Sequence, residues 1–339
     1  MSKIYEALRQ AELDRAKNGS GQADSATSTS TASQAVLEGE REPVYSSPAR
    51  SSVTVTPVGR AMGDEAPVAT LSDSAVAAAS KPDEGVDGSV IDLSRVRHVI
   101  WNPSLAQLPA LDERGSAVEQ FRSLRSRMQE FRDLNTLKSL LVSSGLPQEG
   151  KSFVTANLAI SFARHKAGRV LLIDGDMRRA TLHKLLGCPQ GPGLTEFLAG
   201  DKSIVEVMQR PSPDEPGHPL PHGLASLSFI PAGMEHDKAA DLSGNRRFDK
   251  LIAAAAPYFD WIIVDSSPVN LVSDGVNLAR ACDAVLLVAR GGVTKYEIAQ
   301  RALAELKAAK VLGFVLNAVK NPPIAGGYYG YDGYDKIEG

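Results

Sequence analysis

Cysteine is nearly absent: Cys188 and Cys282 are the only two in 339 residues. A disulfide framework is thereby excluded, and neither thiol stands in a metal-ligand spacing, which fits a reducing compartment. No run of roughly 18 apolar residues occurs, so no membrane-spanning helix is expected. The opening MSKIYEALRQAELDRAK lacks the apolar core of a secretory signal. An excess of either charge is missing too: 37 basic and 40 acidic residues leave a net charge of -3. That balance gives no global attraction to nucleic acid or to an anionic membrane. The expectation is a cytoplasmic protein that binds no nucleic acid and reaches any membrane through a partner.

Residues 1–17 read as a short amphipathic helix, with Ile4, Leu8 and Ala11 at helical spacing and charged residues opposite. A helix this short is marginal alone, so it is either a frayed solvated helix or one that folds on a partner. From 18 to 95 the chain turns to Ser, Thr, Ala and Pro, as in SGQADSATSTSTASQA, and apolar periodicity disappears. Such a segment cannot bury enough surface to offset its ordering entropy and is expected to be a disordered linker.

Residues 96–320 alternate helical and strand patterns. A helix is expected over 119–132, with Phe121, Leu124, Met128 and Phe131 on one face, followed by the strand LKSLLVSSG and a helix over 152–165. The strands RVLLID, LSFIPA, WIIVD, AVLLVAR and VLGFVLNAV follow, with helices near 248–256, 274–281 and 295–308. Strands that are almost continuous apolar runs imply burial on both faces. The predicted fold is a doubly wound α/β domain, a mostly parallel sheet with helices on both faces, preceded by the disordered N-terminal region. A Pro-rich stretch, QRPSPDEPGHPLPHGL, is expected to be a surface loop, its His218 and His222 loop residues rather than metal ligands.

The sequence Gly145-Leu-Pro-Gln-Glu-Gly-Lys-Ser152 fits GxxxxGK[ST] between an apolar strand and a helix, the context a phosphate-binding P-loop requires. Glycines let backbone N–H groups curl round phosphate oxygens at a helix N-terminus. The residues expected to hold ATP are Gly145, Gln148, Glu149, Gly150, Lys151, Ser152 and Phe153. Lys151 would neutralise the β/γ-phosphates, and Ser152 would ligate Mg²⁺. The strand RVLLID ends in Asp174-Gly-Asp176, two carboxylates where α/β sheets bind ligands. WIIVD ends in Asp265, the position of an acid that holds the metal ion.

These elements together resemble the bacterial tyrosine kinase (BY-kinase) family, part of the MinD/ParA-like P-loop class. Asp174, Asp176 and Arg178 match its D-x-D-x-R motif, and LHKLLGCPQGPGLTEFLAG is similar to its neighbouring text. The resemblance implies an ATP-dependent autokinase of capsule and exopolysaccharide synthesis. It makes Lys151, Asp174 and Asp176 catalytic, with Asp174 orienting or deprotonating the acceptor tyrosine. It assigns Mg²⁺ to Ser152, Asp176 and Asp265, and an adenine contact to Asn317. Glu119, Arg122 and Arg125 fit its E-x-x-R-x-x-R motif, which implies a homo-oligomer, a ring. It also implies a separate membrane-embedded chain-length determinant as activator, recruitment to the inner face of the cytoplasmic membrane, and a cognate phosphatase.

The last twelve residues hold Tyr328, Tyr329, Tyr331 and Tyr334, half of the eight tyrosines in the chain. Glycines between them make residues 321–339 a flexible tail, and the resemblance implies that a neighbouring subunit phosphorylates it. Two departures stand out: D-S-S-P at Asp265 replaces D-[TS]-P-P, and GMEHDKAADLSGNRRF replaces N-P-x-E-L-L. The alternatives are a MinD/ParA-type positioning ATPase that transfers no phosphate to protein, and a scaffold that binds ATP without turnover. The tyrosine tail speaks against the first, and the full set of Lys151, Ser152, Asp174, Asp176 and Asp265 against the second.

Overall fold

The computed structural model describes residues 91–166, 168–213, 220–221, 223–234 and 239–319. The expected N-terminal helix, most of the linker, His218, His222 and the tyrosine tail lie outside them. The strands are β1 (Arg97–Val99), β2 (Ser139–Ser144), β3 (Val170–Asp174), β4 (Gln209–Pro211), β5 (Leu227–Ile230), β6 (Trp261–Asp265), β7 (Ala284–Arg290) and β8 (Val311–Asn317). They form one sheet in the order β1-β4-β5-β3-β6-β2-β7-β8. Neighbours run parallel except β4 and β5.

The described helices are α1 (Ser116–Leu134), α2 (Lys151–Ala163), α3 (Leu182–Leu186), α4 (Leu194–Ala199), α5 (Ile204–Val207), α6 (Ala239–Ser243), α7 (Arg247–Ala255), α8 (Asp274–Ala279) and α9 (Tyr296–Glu305). Every residue of β2, β3 and β6 is buried, as their apolar centres LLV, VLLI and WIIV lead one to expect, together with the serines and aspartates that flank them. Alternate side chains then feed two cores, because successive residues of a strand face opposite sides. Leu141, Leu171, Ile173, Ile262 and Val264 pack with α4, α7 and α8. Leu140, Val142, Leu172 and Ile263 pack with α1 and α2 on the other face. The doubly wound expectation is met.

Helix α2 is buried on nearly every side, from Val154 through Ala163, because α1 covers the flank that the sheet leaves open. Phe121 of α1 meets Phe153 with ring centroids 5.8 Å apart. At the far end Phe162 stacks on Trp261 at 4.4 Å. The phosphate-loop helix is thus clamped along its length rather than laid on a surface.

The structure moves two boundaries. Residues 91–95, expected within the linker, are ordered onto the domain through two side chains: Ile91 is in the core with its N–H donating to Tyr258 Oη at 2.9 Å, and Leu93, in a 3₁₀ turn at Leu93–Arg95, packs against that core. The start of the expected Pro-rich loop is strand β4, with Gln209 and Pro211 buried, held between β1 and β5. Three residues are too few to show a strand period, and Pro211 argued against one. Helices α3 to α6 are likewise too short to carry a period. Among the described residues no helix is long and apolar enough to cross a membrane.

Candidate functional site

Register brings the carboxyl ends of β2, β3 and β6 together. Asp174 lies opposite Asp265, and Asp265 in turn lies opposite Val142 of β2. The crevice outside these ends is where an open α/β sheet takes ligands. Here it is a cleft of about 610 Å³ lined by Gln148, Gly150, Lys151, Ser152, Phe153 and Asp176 on one side. The loop after β2 enters α2 through Gln148 and Gly150, both in the left-handed region, at φ 63° and 92°. That conformation suits Gly, with no Cβ, and turns the chain sharply into the helix N-terminus.

Lys151 Nζ reaches Asp176 Oδ2 at 2.8 Å, with both side chains largely buried. Burial alone would depress the ammonium, but the Asp265, Asp176 and Asp174 carboxylates together hold its pKa above the ordinary lysine value. Ser152 Oγ donates to Asp265 Oδ2 at 2.5 Å, and Thr155 Oγ1 to Asp265 Oδ1 at 3.3 Å. Burial raises the Asp265 pKa, against the opposing pull of Lys151 and the Ser152 hydroxyl. These oxygens suit a hard cation. Among the described residues no group of three or more His, Cys, Asp or Glu is set to hold a metal. An Mg²⁺ shared with phosphate oxygens needs only one or two carboxylates, so Ser152, Asp176 and Asp265 fit it.

Asp174 is placed differently from its partner. It is fully buried and does not line the cleft. Its Oδ2 accepts from the N–H groups of Thr181 and Leu182 at 3.2 and 3.1 Å, and its Oδ1 from that of Asp176 at 3.3 Å. Burial, then the neighbouring Asp265 and Asp176 charges, raises its pKa well above the carboxylate range. Asp174 therefore organises the 176–182 loop from behind, while Asp176 presents its carboxylate to the cleft.

Other expected contacts are also redistributed. Glu149 is buried and turned inward, its Oε2 accepting from the Leu146 N–H at 2.8 Å and its Oε1 from the Thr294 hydroxyl. Asn317 does not line the cleft; its Nδ2 donates to the Glu149 carbonyl at 3.0 Å. Gly145 sits against Ile298 and Asn270, where an added Cβ would come within 2.9 Å of Ile298 Cγ2. The Glu149 and Asn317 side chains thus tie the loop to β8 and to the segment before α9, and Gly145 is closely packed there. Glu119 pairs with Arg122 at 2.5 Å on the exposed face of α1, whereas Arg125 turns inward to the Ser161 carbonyl at 2.9 Å. The three do not share one surface role within this chain.

Residues that the sequence left unassigned complete the site. Ser267 Oγ donates to Asp176 Oδ1 at 2.8 Å and so holds the carboxylate from the side opposite Lys151. It stands in the D-S-S-P departure, which was the available signal. Thr155 is three residues from Ser152, one helical turn on, a spacing that could have flagged it. Ser267→Ala is expected to lower stability by about 1–2 kcal/mol, the worth of a buried bond to a charged acceptor, in urea titration. A loss below about 0.5 kcal/mol would show that the hydroxyl does not hold Asp176.

A mostly parallel sheet with a P-loop, a lysine and three strand-end carboxylates defines a P-loop NTPase-type domain. Comparison with known proteins narrows the class. No protein-family model matches the chain. It is 32% identical over 223 residues to tyrosine-protein kinase wzc of Salmonella typhimurium, covering 65% of this chain and 29% of that protein. It therefore spans under a third of that relative's length. It is 31% identical over 217 residues to tyrosine-protein kinase YwqD of Bacillus subtilis, covering 62% of this chain and 86% of that one. The solved kinase domain of the Escherichia coli tyrosine kinase ETK matches with TM-score 0.58 and 30% identity, over 70% of this chain and 88% of that domain. The chain belongs to the bacterial tyrosine-protein kinase family.

Proposed function

We propose that this protein is an ATP-dependent protein-tyrosine autokinase, transferring the γ-phosphoryl group of Mg-ATP to tyrosines of its own C-terminal tail in a neighbouring copy. The observation that carries the reading is one cleft lined by the phosphate loop, Lys151, Ser152 and Asp176, with Asp265 buried behind Ser152 and bonded to its hydroxyl. Lys151 would follow developing charge on the transferred group, since its ammonium is held charged by the carboxylates beside it. Mg²⁺, when bound by Ser152, Asp176 and Asp265, would neutralise charge on the β- and γ-phosphates. Asp176 lines the cleft, and we assign to it the orienting of the tyrosine hydroxyl. A phenol of pKa near 10 needs that help at neutral pH.

The wider role follows from the family resemblance: control of exopolysaccharide or capsule chain length, polymerisation or export from the cytoplasmic side of the membrane. A separate membrane-embedded chain-length determinant would recruit and stimulate the kinase, and a phosphatase would reset it. The match of Glu119, Arg122 and Arg125 to the family's E-x-x-R-x-x-R motif supports contact between copies in a ring.

Incubating the full chain with γ-labelled ATP and Mg²⁺, alone and with the cytoplasmic segment of its membrane partner, tests this. Label is expected on Tyr328, Tyr329, Tyr331 and Tyr334 as a group. The fourfold Tyr→Phe variant should lose it while still binding ATP. Consumption of ATP with no labelled protein in either mixture would favour the positioning ATPase instead.

A further inference from the structure

The cleft is lined by two unlike sets of residues. Besides the phosphate loop and its charged groups it is lined by Leu185, Pro268, Leu271 and Val272. Leu271 is 57% exposed, a large apolar side chain at the mouth of a site whose floor is charged. The phosphates have no use for such a shelf; a flat aromatic ring does, whether the base of the nucleotide or the phenol of an acceptor tyrosine.

Two consecutive arginines stand on the same rim. Arg178 is committed: its Nε and Nη2 hold the two Asp274 carboxylate oxygens at 2.6 and 3.3 Å, and Asp274 is fully buried. Arg179 is also exposed and also lines the cleft. Among the described residues no carboxylate pairs with its guanidinium. The rim thus carries one uncommitted planar cation beside an apolar shelf and within the cleft that holds Asp176.

The tail offers the complementary chemistry unevenly. Tyr331 is followed by Asp332 and Tyr334 by Asp335, whereas Tyr328 is followed by Tyr329 and Tyr329 by Gly330. In an extended chain adjacent side chains leave on opposite sides from Cα atoms about 3.8 Å apart. With a phenol directed inward over the shelf toward Asp176, the next side chain is directed back toward the rim. An arginine is long enough to span that gap, and its fork matches a carboxylate in two hydrogen bonds.

We propose that Arg179 reads the acidic residue that follows the acceptor tyrosine, directing phosphorylation to Tyr331 and Tyr334 ahead of Tyr328 and Tyr329. The proposal rests on the kinase reading above and adds to it the residue that chooses among the four hydroxyls. A single guanidinium–carboxylate pair, open to solvent on one side, is worth about a fivefold preference.

The test uses the full chain with Mg-ATP, stopped early, with phosphate at each tail tyrosine quantified by mass spectrometry. In Arg179→Gln the ratio of Tyr331 plus Tyr334 to Tyr328 plus Tyr329 is expected to fall about fivefold. Asp332→Asn with Asp335→Asn should cause the same fall, with no further loss when combined with Arg179→Gln. The exchange of Arg179→Glu with Asp332→Arg and Asp335→Arg should restore the preference. An unchanged ratio in Arg179→Gln overturns this inference alone. So does an equal loss at all four positions, which would give Arg179 to the nucleotide or to the fold. Wild-type protein with no phosphotyrosine would overturn the kinase reading and this inference with it.

Discussion

Replacing Lys151 by Met is expected to abolish both ATP turnover and tyrosine labelling, with rates about a thousandfold lower than wild type. That is about 4 kcal/mol of transition-state stabilisation, reasonable for a preorganised cation in a largely dry cleft. Lys151 also neutralises Asp176 at 2.8 Å, beside the buried Asp174 and Asp265. Removing it takes the ammonium away from Asp174 and Asp265, whose already raised pKa values rise further. A carboxylate whose folded pKa lies above its unfolded value stabilises the fold at low pH and loses that contribution as pH rises through the folded value. The variant should therefore melt well below wild type at pH 8, with the gap narrowing toward pH 5. Thermal melts across that range and a labelled-ATP assay check both parts. Residual labelling within tenfold of wild type would sink the assignment of Lys151.

Gly150→Ala is expected to disable the site without touching a polar group. Gly150 sits at φ 92°, and a Cβ built there would lie 1.9 Å from Asn317 Nδ2. An L-residue in the left-handed region costs roughly 1–2 kcal/mol, and Asn317 must also release the Glu149 carbonyl, about 1 kcal/mol more. The variant should lose roughly 2–3 kcal/mol of stability in urea unfolding. Because the displaced loop is the phosphate cradle, nucleotide affinity should fall by at least about a hundredfold in fluorescent-ATP titration. An additional Asn317→Ala change relieves the contact but restores neither the hydrogen bond to Glu149 nor the backbone conformation, so the losses of stability and affinity should both remain. Wild-type affinity in Gly150→Ala would show that the loop does not close on phosphate through this residue.

These two substitutions divide what could be read from what could not. Lys151 was legible because GxxxxGK[ST] is a local pattern: the turn, the amides and the cation lie within eight consecutive residues. The mostly parallel sheet was legible for a similar reason, since burial on both faces leaves almost continuous apolar runs in β2, β3, β6 and β7. Elements of three to six residues, such as β4, α3 and α5, carry no period to read. Their form is imposed by neighbours such as β1 and β5 on either side of β4.

The site separates along the same line. Asp174, Asp176 and Asp265 were found as strand ends, but strand ends alone could not rank them. Register set Asp174 against Asp265, and the backbone of the loop at 181–182 took up Asp174, leaving Asp176 to face the cleft. Glu149 and Asn317 looked like ligand contacts because they adjoin or resemble them. Hydrogen bonds across 145 and 168 residues tie both side chains into the fold, which no local pattern showed. Sequence by itself determined the sheet, the phosphate loop and the acids at its edge, because each is written in local pattern. Tertiary structure alone decided which acid reaches the cleft and which arginine has no carboxylate partner among the described residues. Burial, register and pairing are properties of residues far apart in the chain, and no local pattern records them.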